Sequence, residues 1–235
     1  MRVSVIIPTH NEAQAIERVL ADLPPDLTTE VIVVDSNSND GTPDIAAKMG
    51  ARVIREPRRG YGQACLTGLA AANFPDVVVF LDGDYSDRPA ELPILLAPIA
   101  DGVADIVLGS RLRERRFLKA LPWHQAFGNR IAAGLIRLRY GLDITDLGPF
   151  RAGRADVLRA LTLEETTYGW AVEMILKGAL AGYRVVEVPV SYYPRIGKSK
   201  ISGTLRGTFG AAWFILSLIV RYYFRHRIAR TPRPA

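Results

Sequence analysis

The chain has 235 residues, 49% of them apolar, with a formal charge of +6 and a pI near 9.6. That is enough apolar sequence for one sizeable core plus a small appendage, and it excludes the disordered and fibrous classes. The basic balance suits nucleic acid, an anionic membrane surface or a phosphorylated substrate, and composition does not choose among them. Cys65 is the single cysteine, so an intrachain disulfide is excluded and a reducing cytoplasmic compartment is expected. Set between Ala64 and Leu66, it reads as a small buried hydrophobe rather than a nucleophile.

Taken in chain order, the first element is a strand over Val3 to Ile7; Met1 to His10 holds too short an apolar stretch for a signal-peptide core. A helix is expected from about Ala13, a strand over Glu30 to Asp35, a helix from about Thr42 and a strand over Arg52 to Arg55. Gln63 to Ala72 follows as helix and Val77 to Leu81 as strand. Such alternation is the pattern of βαβ units wound about a mostly parallel sheet, and the unbroken apolar run Val31-Ile32-Val33-Val34 fits a strand covered on both faces. The second half predicts a strand over Asp105 to Gly109, helices over Phe127 to Arg139 and Ala171 to Leu180, and a strand over Val185 to Val190 before "YYPRIGKSKISGT".

Ligands of such sheets bind at the carboxyl ends of the strands, and the polar residues gather there. Strand one delivers Pro8, His10, Asn11 and Glu12; strand two delivers Asp35, Ser36, Asn37 and Asp40; the strand of "VVVFLDGDYSDRPAE" delivers Asp82, Asp84 and Asp87. Like charges this close share protons or share a cation, and a divalent metal held by one or two carboxylates plus substrate phosphates is the usual hard-cation arrangement. The plain alternative is a polar Asp-Gly-Asp turn with Asp87 capping a helix that begins near Pro89. Convergence of three acidic strand ends favours the metal. Asp35 closes an apolar strand, where it suits a ribose or base edge; Asp40 reads as structural or shared, and His10 as a ligand or simply an exposed side chain.

These stretches resemble a known family. "VSVIIPTHNE", "EVIVVDSNSNDGT", "GYGQACLTGL", "VVFLDGDYSDRP", "IVLGSR" and "RIGKSKISGT" follow in order the motifs of family 2 glycosyltransferases, and specifically of the polyprenyl-phosphate sugar synthases related to dolichol-phosphate mannose synthase. The resemblance runs from Val3 to about Thr204. It implies the α/β GT-A fold, a Rossmann-like, mostly parallel sheet with flanking helices, together with a nucleotide-sugar donor, a divalent cation (Mg²⁺ or Mn²⁺) and inversion at the anomeric carbon. Carried over, it places Pro8, His10, Glu12, Asp35 and Asp82 around the donor nucleotide, with His10 where the family often has tyrosine. It assigns Asp82 and Asp84 to the metal, with Ser86 standing where the family often has a glutamine ligand, so that Ser86 or Asp87 is the open choice. Arg111, Arg195 and Lys200 match cations that face the donor and acceptor phosphates. A divalent metal with Arg or Lys stabilises a departing diphosphate without a covalent intermediate, and the Gly197 and Gly203 hinges suit a flap over phosphates.

A lipid-phosphate acceptor is already ionised and needs no base; a hydroxyl acceptor needs one, with Glu173 and Asp146 as candidates. Each also has a structural reading, Glu173 paired with Lys177 at i,i+4 and Asp146 as a turn former. Leu205 to Phe224 reads as a helix with a dense apolar face followed by Arg221, Arg225, Arg227 and Arg230, a pattern of the cytoplasmic membrane interface; a helix docked on the core is the alternative. Phe117 to Tyr140 reads as a second amphipathic surface. The expected organisation is a GT-A domain over 1–203, an amphipathic helix over 204–228 and a basic tail over 229–235. The expected enzyme is peripheral or monotopic and moves a hexose from a GDP- or UDP-sugar to a polyprenyl phosphate. A hydroxyl-acceptor transferase and a silent nucleotide-binding, membrane-docking protein stand as alternatives, and nucleic-acid binding ranks last because the positive charge concentrates after Arg195 beside apolar aromatics.

Overall fold

The computed structural model describes residues 1–113, 123–197, 217–219 and 221–222. The elements run β1 (Val3–Thr9), α1 (Ile16–Ala21), β2 (Glu30–Asp35), α2 (Thr42–Lys48), β3 (Arg52–Arg55), α3 (Tyr61–Ala71) and β4 (Val77–Phe80). After a 3₁₀ turn at Pro89–Glu91 come α4 (Leu92–Ala100), β5 (Ile106–Ser110), α5 (Trp123–Tyr140), β6 (Arg151–Arg154), α6 (Ala155–Ala160), α7 (Trp170–Leu180) and β7 (Val185–Pro189). The strands form one sheet in the order β3-β2-β1-β4-β6-β5-β7. β6 runs antiparallel to β4 and β5; the remaining pairs are parallel. This is the α/β, mostly parallel layered fold that the alternation of elements predicts.

The apolar strands feed two cores, one on each face of the sheet. Ile6, Ile32, Val34, Val78 and Phe80 point into the core that also holds Ala64, Cys65 and Leu69 of α3 and Trp170, Met174 and Ile175 of α7. Their neighbours Val5, Ile7, Val33 and Val79 point into the opposite core with Ile16 and Val19 of α1, Ala46 of α2 and Leu92 and Leu95 of α4. Successive side chains of a strand face opposite sides, so a strand covered on both sides must be apolar throughout. Cys65 is wholly buried, and burial pushes its thiol well above the usual range, as a packing role requires.

The sequence reading gave no strand at Arg151–Arg154. This segment carries an arginine at each end and a glycine within it, yet it lies between β4 and β5. Arg151 is wholly buried, and its guanidinium donates to the carbonyls of Ala171, Leu147 and Gly148, which replaces the water it has lost.

Most of the expected 204–228 helix, and the whole 229–235 tail, fall outside the described residues. Where the segment is described, Ser217–Ile219 and Arg221–Tyr222 are helical, and Leu218, Ile219 and Tyr222 are buried in the core shared with α3 and α7. These apolar side chains, which the sequence suggested for a lipid interface, face protein.

α3 sits close on the sheet because Gly68 lacks a side chain: a Cβ there would lie 2.4 Å from Ile6 Cγ2. Gly68→Ala is expected to destabilise the fold by about 1–3 kcal/mol through overpacking, read as a lower urea midpoint with an unchanged m value. An unchanged midpoint would contradict this packing.

Candidate active site

Two loops at the carboxyl ends of β1 and β2 are tied together by their own polar side chains. The Asn11 N–H donates to Ser38 Oγ at 2.8 Å, Asn39 N–H to Asn11 Oδ1 at 2.9 Å and Glu12 N–H to Thr42 Oγ1 at 2.9 Å. His10 Nδ1 lies 2.7 Å from the Ser36 carbonyl; a carbonyl only accepts, so that nitrogen carries the proton. Asp40 accepts from Ala13 N–H and from both donors of Thr42, which is the structural role expected of it. Asp35 is buried, with its carboxylate taken by Ser38 N–H at 3.0 Å and Thr9 Oγ1 at 3.3 Å. It holds the loop on which the cleft residue Ser36 stands.

The acidic end of β4 is the electrostatic centre. Burial first, and then the negative charge of Asp84, push the Asp82 carboxyl up to about 7. Gly83 between them packs closely: a Cβ would lie 2.9 Å from Thr9 Cγ2. Asp84 is aimed by Ser86, whose N–H and hydroxyl both donate to Oδ1, at 2.9 and 2.6 Å. Asp87 does not cap the following helical turn: Arg88 occupies the cap position with no side-chain hydrogen bond. Both Asp87 carboxylate oxygens are instead buried without a hydrogen-bond partner.

The segment after β7 folds back over these acids. Asp87 and Tyr192 form an antiparallel bridge, Tyr193 N–H donates to the Ser86 carbonyl and Ile196 N–H to the Asp84 carbonyl, each at 2.9 Å. The Arg88 guanidinium lies over the rings of Tyr85 and Tyr193, 4.3 and 3.8 Å from their centroids, a cation–π staple between the two segments. Arg195 pairs directly with Asp84 Oδ2. Lys200 lies outside the described residues. Arg111 is held by Asp146 through two side-chain bonds of 2.7 and 2.9 Å and its own N–H at 3.0 Å.

A cleft of about 380 Å³ opens above this floor. Its wall carries Pro8, His10, Glu12, Asp82, Asp84 and Arg195, six of the residues singled out from the sequence. Asp35, Ser86, Arg111, Asp146 and Glu173 are not on that wall. Asp146 is spent on Arg111 and Asn129, and Glu173 on Lys177, Tyr222 and two backbone N–H groups. Thr9, Ser36 and Gly83 line it too, as do Arg59 and Gly60 before α3, Tyr61 and Ala64 in its first turn, and Thr167 and Tyr168; Gly60, Tyr61 and Ala64 lie in the quoted "GYGQACLTGL" without individual roles, and Arg59, Thr167 and Tyr168 were not singled out. The glycine-rich "RGYG" was the available signal: a Cβ on Gly60 would lie 2.2 Å from the Thr166 carbonyl oxygen, so only glycine lets the two segments meet.

Among the described residues, no set of three or more His, Cys, Asp or Glu side chains converges to hold a metal ion unaided. The donor set still fits a hard cation that takes its other ligands from a substrate. Asp82 and Asp84 share the cleft wall, Asp84 Oδ2 already faces a cationic group, and the buried Asp87 carboxyl beside them has no hydrogen-bond partner, burial and the neighbouring acids pushing it well above the usual carboxylate range.

Burial pushes the Asp146 carboxyl up, but the Arg111 charge and hydrogen bonds outweigh it and hold the group below the usual carboxylate range. A depressed pKa means that this stability is present above about pH 4 and lost as pH falls through the folded-state value. Asp146→Asn is expected to cost about 3–5 kcal/mol at neutral pH by leaving Arg111 buried and unpaired, with the gap to wild type narrowing in denaturant titrations as pH falls below about 4. A gap independent of pH would contradict the ion pair.

Comparison with known proteins places the chain in a family. The family described as Glycosyl transferase family 2 matches residues 4–162. An uncharacterized glycosyltransferase of Mycobacterium tuberculosis is 39% identical over 221 residues, covering 92% of this chain and 98% of that protein. The undecaprenyl-phosphate mannosyltransferase of Micrococcus luteus is 35% identical over 223 residues, covering 88% and 90%. Among solved structures, glucosyl-3-phosphoglycerate synthase from Mycobacterium tuberculosis, in complex with Mn²⁺, UDP-glucose and phosphoglyceric acid, superposes with a TM-score of 0.76. It is 23% identical and covers 95% of this chain and 80% of its own, a likeness of fold. The chain belongs to glycosyl transferase family 2, and it is a glycosyltransferase.

Proposed function

We propose that the chain is an inverting, divalent-cation-dependent glycosyltransferase that moves one hexose from a GDP- or UDP-sugar to a polyprenyl phosphate at the cytoplasmic membrane surface. The observation that carries this reading is the pairing of Asp82 and Asp84 on one cleft wall with Arg195 set directly on Asp84. Negative charge that needs a cation and a guanidinium that needs an anion meet at one point, and a bound diphosphate with its metal satisfies both. The Micrococcus luteus relative is named for the same class of acceptor.

In this reading Asp82 and Asp84 would hold Mg²⁺ or Mn²⁺, which would supply positive charge against the donor diphosphate. Arg195 leaves Asp84 for the phosphates, and Arg111, oriented by Asp146, adds positive potential behind them. Lys200 is assigned to the same task by its place in the "GKSK" stretch. An acceptor phosphate oxygen attacks the anomeric carbon, forming the new C–O bond. The bond to the donor β-phosphate oxygen breaks with its electron pair, and the centre inverts. The acceptor brings its own negative charge, so no proton is moved. Consistent with that chemistry, Glu173 and Asp146 are both spent on internal partners away from the cleft wall.

The surface of α5 supports a lipid location. Phe127, Ile131, Leu135 and Leu138 are exposed, Leu138 by 85%, and their spacing sets them along one stripe of a helix whose opposite side buries Ala126, Ala132, Ala133 and Ile136. Arg130, Arg137 and Arg139 flank the stripe and are exposed. An apolar stripe flanked by arginines suits the interface of an anionic bilayer. No helix among the described residues is long and apolar enough to cross a membrane.

Two measurements test the reading. Radiolabelled sugar offered as a panel of GDP- and UDP-sugars is expected to enter an organic phase containing polyprenyl phosphate with Mn²⁺ and not with EDTA. Asp84→Asn should lower that rate at least about 100-fold, the scale of one lost electrostatic contact to the transition state. Donor hydrolysis or nucleotide binding with no lipid labelling would move the acceptor to another class. Ile131→Asp with Leu138→Asp should reduce co-sedimentation with vesicles containing anionic phospholipid at least about fivefold, since each buried apolar side chain contributes about 1.5–3 kcal/mol. Undiminished vesicle binding would remove α5 from the interface.

A further inference from the structure

Glu173 is buried in α7, outside the cleft, and its two oxygens divide their work. Oε2 accepts the N–H groups of Glu164 and Glu165, at 3.0 and 2.8 Å. Oε1 takes Lys177 Nζ at 2.8 Å and the Tyr222 hydroxyl at 3.1 Å. The first pair of bonds fixes the start of the 164–168 loop, whose far end supplies Thr167 and Tyr168 to the cleft wall. The same loop is locked to the start of α3: Gly62 N–H donates to the Thr167 carbonyl at 3.2 Å and Gln63 N–H to the Thr166 carbonyl at 2.8 Å. Packing leaves no slack there, because a Cβ on Gly62 would lie 2.3 Å from the Glu165 carbonyl oxygen.

One buried carboxylate therefore joins the wall of the cleft to a residue of the C-terminal segment. We infer that Glu173 is a positioning residue: through it, the seating of Tyr222 against the core is coupled to the shape of the Thr167–Tyr168 wall, and hence to binding in the cleft. Whatever shifts Tyr222 shifts cleft affinity, and occupation of the cleft steadies Tyr222 by the same factor, since coupling between two sites is reciprocal. The inference rests on the proposed reading only in taking a nucleoside diphosphate as the occupant.

The test has one arm that needs no nucleotide. Hydrogen exchange at Glu164 to Tyr168 and at Gly62 and Gln63 is expected to quicken at least about fivefold in Tyr222→Phe and in Glu173→Gln, with exchange in β1 and β4 unchanged. In the second arm, calorimetric affinity for GDP and UDP with Mn²⁺ should weaken about 5-fold in Tyr222→Phe and about 10-fold or more in Glu173→Ala, within the usual range of coupling. The Tyr222→Phe effect should vanish in a Glu173→Gln background, because both changes break the same link. Wild-type exchange at the loop in both conservative variants overturns the coupling. So does a Glu173→Gln enzyme that binds nucleotide normally but has lost turnover, which would instead make Glu173 a base. If wild-type protein bound neither nucleotide while the exchange changes appeared, the coupling would stand and only the reading of the cleft would fall.

Discussion

Three carboxylates at the end of one buried strand set the terms for the rest of the molecule. Asp82, Asp84 and Asp87 leave β4 at the point where two apolar cores close around it; the charge of Asp84 raises the cost of ionising Asp82, and the charges of both raise the cost of ionising Asp87. A chain that gained nothing from this would replace them with apolar residues, because buried uncompensated charge opposes folding. Much of the surrounding structure answers that charge: Ser86 aims Asp84, Arg195 pairs with it, and Arg111 lies near enough for its charge to act on Asp82 and Asp87 while anchored elsewhere. The fold supports this concentration because parallel strands gather their carboxyl ends, and the first turns of the chain that follow them, at one edge.

The segments around the acids are held accordingly. The β1 and β2 loops are cross-tied by Asn11, Asp35 and Asp40, so the face made by Pro8, His10 and Glu12 is preorganised. The segment from Tyr192 to Ile196 is held by backbone bonds and by Arg88 stacked between two tyrosines. Arg195 makes one ion pair, to Asp84 Oδ2 on the cleft wall, whereas Arg111 is held bidentately by the buried Asp146. Two arginines that look equivalent in sequence thus differ in place: Arg195 is on the cleft wall and Arg111 behind it.

The parallel half of the fold was legible because β1, β2 and β4 are covered on both faces and read as apolar runs, separated at βαβ spacing by helical segments; β3, at the sheet edge, is the less buried exception. Arg151–Arg154 was not, because its strand character comes from its neighbours β4 and β5 and the buried Arg151 guanidinium is hydrogen-bonded by backbone carbonyls that sequence does not display. The acids of the site were readable from their position after apolar runs. What each carboxylate does was less readable. Asp35, Asp146 and Glu173 have the composition of site residues, and each is hydrogen-bonded to internal partners, Ser38, Arg111 and the 164–165 backbone, that sequence does not display. The Thr167–Tyr168 wall was invisible for a simpler reason: it is brought to the cleft by tertiary contact with α3, and neither residue carries a chemical signature of its own.

If the acids of β4 and a diphosphate hold a cation between them, cation affinity reports it. Mn²⁺ titrated into the protein and followed by electron paramagnetic resonance is expected to bind weakly alone and at least about tenfold more tightly when GDP or UDP is present, the gain disappearing in Asp84→Asn. Equal Mn²⁺ affinity with and without both nucleotides, or a gain that survives Asp84→Asn, would contradict it.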